Sequence, residues 1–278
     1  MKYYEVNGIR FGLGYLFDDF FDNNIEKYEI EQCDVNHIIE TKMAKEIKIP
    51  SDIAKFKYKN REVYIEEDFE RVYIYDGGFP VLMIESDSKF KNSTLFMVED
   101  IDGASELEYV YTGIMFMELC LYHSIQSIHG SAISYDDQVI IFSGPSGTGK
   151  STHVNYWLEL DPLIEIVNDD KPLLHIKRNE VLVSGSPWSG KTKVNKNVSL
   201  PLHSIVFLEQ AETNVINQLS EEDKVIHIMR NINRPRQDEL WDKVSGIIEI
   251  LIEDVPMYKA SVTNSMEAAI AVKKKLGV

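Results

Sequence analysis

Residues 139–152 read Val-Ile-Ile-Phe-Ser-Gly-Pro-Ser-Gly-Thr-Gly-Lys-Ser-Thr, and no other stretch constrains the fold as tightly. It contains the pattern G-x-x-x-x-G-K-[ST], with Gly144 at its head and Gly149, Lys150 and Ser151 at its end. Val139–Phe142 is an apolar run of strand character, and Thr152–Leu160 can form a helix. Strand, glycine loop and helix in that order let successive backbone N–H groups wrap an anion, because glycine tolerates the φ values the wrap needs. The helix adds the positive end of its dipole. Gly144, Ser146, Gly147, Thr148, Gly149, Lys150, Ser151 and Thr152 are therefore the candidate cradle for the phosphates of ATP. Lys150 would reach the β- and γ-phosphates, and the Ser151 hydroxyl would ligate Mg²⁺.

A second stretch, Gly185-Ser-Pro-Trp-Ser-Gly-Lys-Thr192, matches the same pattern. Val181–Val183 before it can be a strand, but Lys193–Ser199 after it lacks helical periodicity. Pro187 and Trp188 occupy positions where a phosphate loop needs small residues and free N–H groups, and proline has none. Lys150, not Lys191, is accordingly the nucleotide lysine. The second loop is a candidate lining of the acceptor side, with Trp188 shaping a pocket and Lys191 and Lys193 supplying charge. A plain surface hairpin is the alternative.

Carboxylates follow at a suitable distance. Ile164–Val167 reads as a strand ending in Asn168-Asp169-Asp170, and the interval from Lys150 leaves room for one helix and a return. A strand that delivers a carboxylate beside the phosphates can hold Mg²⁺. With two aspartates, one can serve the metal and the other accept a proton from an attacking hydroxyl. An acidic turn is the bland alternative. His129-Gly130 precedes the glycine loop by one hairpin. Arg230, Arg234 and Arg236 form a cationic cluster around Asn231–Arg236, with guanidinium forks suited to phosphate; Arg234 and Arg236 are the candidate substrate contacts.

The bulk numbers narrow the rest. A length of 278 residues suits one large or two modest domains. The net charge of −16 argues against nucleic acid as a partner, because phosphate neutralisation needs clustered Lys and Arg. It leaves a local nucleotide pocket open. Two cysteines, Cys33 and Cys120, make no disulfide framework and point to a reducing cytoplasm. The N-terminus has no apolar signal region. Gly113–Ile128 is too short and too polar to cross a membrane. Seven scattered histidines offer no transition-metal spacing.

The expected class is α/β, α+β overall: a β-rich accessory domain over residues 1–104 and an α/β domain over 105–278. Short strands are expected at Tyr3–Val6, Lys27–Gln32, Ile53–Tyr58, Val63–Glu66, Val72–Tyr75 and Val81–Ile84, several separated by turn pairs such as Asn7-Gly8 and Gly77-Gly78. The apolar spacing of Leu107, Val110, Ile114, Met117 and Leu121 predicts one long helix or a broken pair over Glu106–Ile128. Further strands are expected at Leu173–Ile176, Val181–Val183, Ser204–Glu209 and Pro256–Val262. Helices are expected from Asp238 to Glu253 and over Ser265–Leu276, the last opening on a capping box at Asn264–Glu267.

HGSAI at 129–133, FSGPSGTGKST at 142–152 and VNDD at 167–170, in that order and spacing, resemble the catalytic domain of HPr kinase/phosphorylase and its relatives. That family comprises bacterial protein-serine kinases whose P-loop core is related to ATP-dependent phosphoenolpyruvate carboxykinase. The resemblance spans about residues 125–260. It implies ATP and Mg²⁺ as cofactors, Lys150 and Ser151 on phosphate and metal, Asp169 or Asp170 as base, and His129 close enough to influence it. It also implies a hydroxyl acceptor on a peptide, protein or small molecule, and a homo-oligomer. Thr152 departs from the acidic residue usual after the P-loop serine. The SGSPWSGKT loop, 184–192, stands where the family has its signature segment and resembles a subgroup of uncharacterised HPr-kinase-like proteins. The acceptor need not be HPr. A non-catalytic ATP-binding regulator and a carboxykinase-like lyase are the alternative readings.

Overall fold

The structure, a computed structural model, describes all residues but Asp52, and for Lys191 the backbone only. It is a mixed α/β chain with two large sheets. It divides into two compact units, Met1–Leu119 and Cys120–Val278.

Among the described residues, the first unit carries nine strands: β1 (Lys2–Val6), β2 (Ile9–Gly14), β3 (Glu29–Ile30), β4 (His37–Ala44), β5 (Phe56–Tyr58), β6 (Arg61–Ile65), β7 (Phe69–Asp76), β8 (Phe79–Asp87) and β9 (Asn92–Val98). Their order in the sheet is β3-β1-β2-β4-β9-β8-β7-β6-β5. Asn7 and Gly8, at φ 51° and 81°, make the tight turn that pairs Val6 with Ile9. Gly77 and Gly78 do the same between β7 and β8. A helix, α1 (Ala104–Tyr122), follows. It sets Phe116 against Phe11 at 4.9 Å between ring centroids. Its buried Glu108 accepts hydrogen bonds from the Leu16 and Phe17 amides at 2.8 and 2.9 Å.

Three expectations need correction. The strand over Lys27–Gln32 is a 3-10 turn, Glu26–Tyr28, and a two-residue strand. The strand expected at Ile53–Tyr58 is confined to Phe56–Tyr58, and β2, β4 and β9 fall outside the expected runs. The helix expected to run to Ile128 stops at Tyr122, because Ser124 adopts φ 56° and the following residues, Ile125–Ser127 (β10), find strand partners at Leu173–His175. Backbone pairing there overrides an apolar pattern that strand and helix share.

In the second unit the remaining strands are β11 (Gly130–Tyr135), β12 (Gln138–Ser143), β13 (Glu165–Asp170), β14 (Leu173–Lys177), β15 (Glu180–Ser184), β16 (Ser199–Gln210), β17 (Val215–Gln218) and β18 (Met257–Val262). The helices are α2 (Lys150–Leu160), α3 (Glu221–Asn231), α4 (Trp241–Asp254) and α5 (Met266–Leu276). The sheet runs β10-β14-β15-β16-β12-β11-β13, with β18 beside β16 and β17 beside β18. β12, β16 and β18 are parallel to one another.

The unbroken apolar run of β12 reflects burial on both faces. Ile140 and Phe142 pack with Val154 and Trp157 of α2 and with Val272 of α5. Val139 and Ile141 face the opposite layer, with Ile228 of α3 and Val244 and Leu251 of α4. The helix α3 was not foreseen, although Ser220 caps it by accepting from the Asp223 amide and acidic residues fill its first turn. At α5 the cap falls on Ser265 without a side-chain cap bond. Among the described residues, no helix is long and apolar enough to cross a membrane.

Candidate active site

The site begins with register. β11 lies between β12 and β13, and Gly130 faces Ser143 on one side and Asp170 on the other. The end of the strand leading into the glycine loop, the His129-Gly130 pair and the aspartates therefore share one edge of the sheet. A Cβ on Gly130 would lie 2.7 Å from the Phe142 carbonyl oxygen, so the strands can close this far only around a glycine. The Ser143 hydroxyl donates to the His129 carbonyl at 2.7 Å. The His129 amide donates to the carbonyl of Asn231, at the end of α3, also at 2.7 Å.

The loop runs from Gly144 to Gly149, and α2 starts at Lys150. Gly144, Gly147 and Gly149 all have positive φ: 146°, 83° and 88°. At Gly144 a Cβ would sit 2.8 Å from the Leu208 carbonyl oxygen, which leaves glycine as the residue that fits. Thr148 bonds the Pro145 carbonyl through its hydroxyl, at 2.9 Å. Gln210, at the end of β16, holds the Gly147 carbonyl at 3.2 Å. The Lys150 ammonium folds back onto the carbonyls of Gly144 and Pro145, at 2.8 and 3.1 Å. Burial lowers its pKa, while Asp170 and then Asp169 pull it the other way. Lysine and both carboxylates thus share one electrostatic neighbourhood. Ser146, Ser151 and Thr152 are exposed.

The aspartates are differently held. Asp169 accepts from the Ser131 hydroxyl. Asp170 accepts at Oδ1 from His129 Nδ1, 3.0 Å away, and at Oδ2 from Lys171. Its backbone sits at φ 122°. Burial pushes the Asp170 carboxyl up, but the His129 hydrogen bond and the Lys171 charge outweigh it and hold the pKa at about 2. The ordinary value is 3.8, so the ionised form is favoured by folding. A depressed carboxylate contributes stability that is complete above its unfolded pKa and is lost as pH falls through the folded one. The gap corresponds to roughly 2–3 kcal/mol. Chemical denaturation from pH 5 to pH 2 should therefore show the native chain losing stability relative to Asp170→Asn, between about 3.8 and about 2. Parallel curves would discount the pairing.

The second glycine-rich loop has a structural task. Gly185 has no room for a Cβ, which would meet the Lys196 carbonyl oxygen at 2.1 Å and that of Val167 at 2.9 Å. Asn168 donates to the Ser186 carbonyl at 2.9 Å, and the Ser186 hydroxyl donates to the Lys171 carbonyl at 2.9 Å. The Asp169 amide bonds Val194, and the Lys196 amide bonds Val167. Residues 185–196 thereby cover the free edge of β13 and brace the aspartates. A single 3-10 turn, Gly190–Thr192, replaces a helix.

Trp188, expected to shape an acceptor pocket, is a core residue at 1% exposure, with no face left for a substrate. The Lys191 side chain, also expected there, lies outside the described residues. Arg234 is exposed and Arg236 half-buried, and neither lines the cavity beside the glycine loop. The chain leaving α3 is drawn off by the Asn233 amide bond to Ser127. Arg230 does line that cavity.

The cavity measures about 560 Å³. Residues 144–148 form one part of its wall, and His129, Phe207, His227, Arg230 and Lys259 form another. The His227 ring stacks on Phe207 at 4.7 Å. Ser131, Lys171 and Gln210 escaped the reading of the sequence. The first two are neighbours of motif residues across a strand or along it, but nothing local marks Gln210.

Among the described residues, no group of three or more His, Cys, Asp or Glu converges as a metal site. Mg²⁺ commonly takes one or two carboxylates and completes its shell with phosphate and water. Asp169, Asp170 and the Ser151 hydroxyl offer a donor set of that chemistry. The glycine loop, with its cation already seated among backbone carbonyls, fits a phosphate chain.

No family model and no curated protein matches the chain. Among solved structures, it is similar to the HPr(Ser) kinase/phosphatase from Coxiella burnetii, at 13% identity over 55% of this chain and 99% of that one, with a TM-score of 0.33.

Proposed function

We propose that the chain is a Mg²⁺-dependent phosphotransferase that moves the γ-phosphoryl group of ATP to a hydroxyl. The observation that carries this reading is one juxtaposition. A strand–glycine-loop–helix unit presents Lys150 to the same field as Asp169 and Asp170, and His129 is bonded to Asp170. The loop amides and Lys150 would hold the phosphates. Asp169, with Ser151, would take the metal, which when bound neutralises charge on the phosphates.

Asp170 would orient the acceptor hydroxyl. As the hydroxyl oxygen bonds to the γ-phosphorus, the bond from that phosphorus to the β,γ-bridging oxygen breaks and its electron pair leaves with ADP. The hydroxyl proton passes to Asp170. A carboxylate with a pKa near 2 is a weak base, but phosphoryl transfer through a loose transition state asks mainly for positioning and charge stabilisation. His129 and Lys171 supply that positioning by fixing both carboxylate oxygens.

The test is a transfer screen with γ-labelled ATP and Mg²⁺, offering serine peptides, free serine and small polyols. Label should move to at least one hydroxyl and should stop moving when Mg²⁺ is chelated. Tight ATP binding without transfer to any acceptor would favour the regulator; absence of binding would remove nucleotide chemistry altogether.

A further inference from the structure

We infer that the cavity beside the glycine loop receives a hydroxyl acceptor carrying a carboxylate or phosphate group, held by Arg230 and Lys259 while its hydroxyl faces Asp170. The substrate class rests on the phosphotransferase reading; the anion wall itself does not.

The cavity adjoins the aspartates through His129. His129 is common to both, bonding Asp170 through Nδ1 and lining the cavity. The His129 amide is tied to Asn231, the residue after Arg230, so the backbones that carry the guanidinium and the histidine meet at one corner. The charge of this wall is opposite to that of the chain. The protein carries −16 overall, with Asp and Glu outnumbering Lys and Arg by 45 to 29. Yet the charged side chains lining it are Arg230, Lys259 and a single acid, Glu209, with the imidazoles of His129 and His227 beside them.

Lys259 is partly neutralised by Glu209 at 3.0 Å. Arg230 forms no ion pair among the described residues, in a chain where exposed cations such as Lys2, Arg10 and Lys57 do. The field of the wall is felt locally: burial, then Lys259 and Arg230, push His227 below its ordinary pKa. A guanidinium fork at the rim of a small-molecule-sized cavity is suited to a planar carboxylate or a phosphate. Neutral hydroxyl compounds would leave it unused.

Succinate, a dianion without a hydroxyl, and inorganic phosphate serve as probes. Each is titrated into the full chain, first nucleotide-free and then saturated with Mg²⁺ and a non-hydrolysable ATP analogue. With the analogue on the glycine loop, a probe that still binds must use the part of the cavity away from the loop or another site. Saturable binding is expected for at least one probe, and which binds separates carboxylate from phosphate recognition. Arg230→Gln should weaken it roughly 10-fold or more, Arg230→Lys should retain most of it, and both should keep analogue affinity and melting temperature.

No saturable binding of either probe, or equal binding in Arg230→Gln, overturns the inference. So does a fall in analogue affinity in Arg230→Gln without probe binding, which would give the arginine to the nucleotide. If the analogue itself fails to bind, the phosphotransferase reading fails separately, and the nucleotide-free succinate titration still decides the wall.

Discussion

Lys150→Ala is expected to reduce ATP affinity by roughly 10²-fold, the effect of removing a charge-assisted contact to two phosphates. Calorimetric titration of Mg²⁺-ATP measures it. Among the described residues the ammonium bonds the loop carbonyls of Gly144 and Pro145, and the loop is exposed enough for water to replace it. Melting temperature should therefore change little while affinity collapses. The parallel change Lys191→Ala should leave affinity nearly intact, because the backbone there enters one 3-10 turn and presents no helix end. If Lys191→Ala loses ATP and Lys150→Ala keeps it, the wrong glycine loop has been assigned.

Asp170→Asn is expected to lower turnover by about 10²–10⁴-fold, the usual loss of a proton acceptor, with ATP affinity less affected. Asp169→Asn should also slow turnover, and it should raise the Mg²⁺ concentration needed for half-maximal rate. His129→Ala tests the coupling through Asp170. Its pH–rate profile should differ from that of the parent chain, since the imidazole hydrogen bond helps hold Asp170 ionised. Single-turnover rates with a verified acceptor separate these effects from binding. Unchanged rates in both aspartate variants would retire the phosphotransferase and leave the nucleotide-binding regulator.

Local signals in the sequence were strong where one element depends on one motif. The run Val139–Phe142 had to be a strand buried on two faces, and the glycines after it had to turn. Asn7-Gly8 had to close a hairpin. Residues whose partners lie far along the chain were less legible. The apolar spacing of Ile125–Ser127 continues that of α1, and only β14, some fifty positions on, makes it a strand. Trp188 looked like a pocket wall because its neighbours spell a glycine loop; in the fold it is interior. Arg230 stood in a cluster of three, and only the end of α3 distinguishes it from Arg234 and Arg236. Gln210 reaches Gly147 across a parallel strand pair, a contact without any sequence period.

Asp170 occupies a backbone region, φ 122°, that glycine enters freely and other residues resist. Such a conformation costs about 1–3 kcal/mol. The carboxylate offsets that through His129 and Lys171, a gain of similar size, so the strained backbone persists only while the pairing does. Strain and pairing are therefore balanced at a single residue. A glycine at position 170 would release the strain and forfeit the pairing, leaving a molecule about as sturdy but without the carboxylate that the proposed transfer needs.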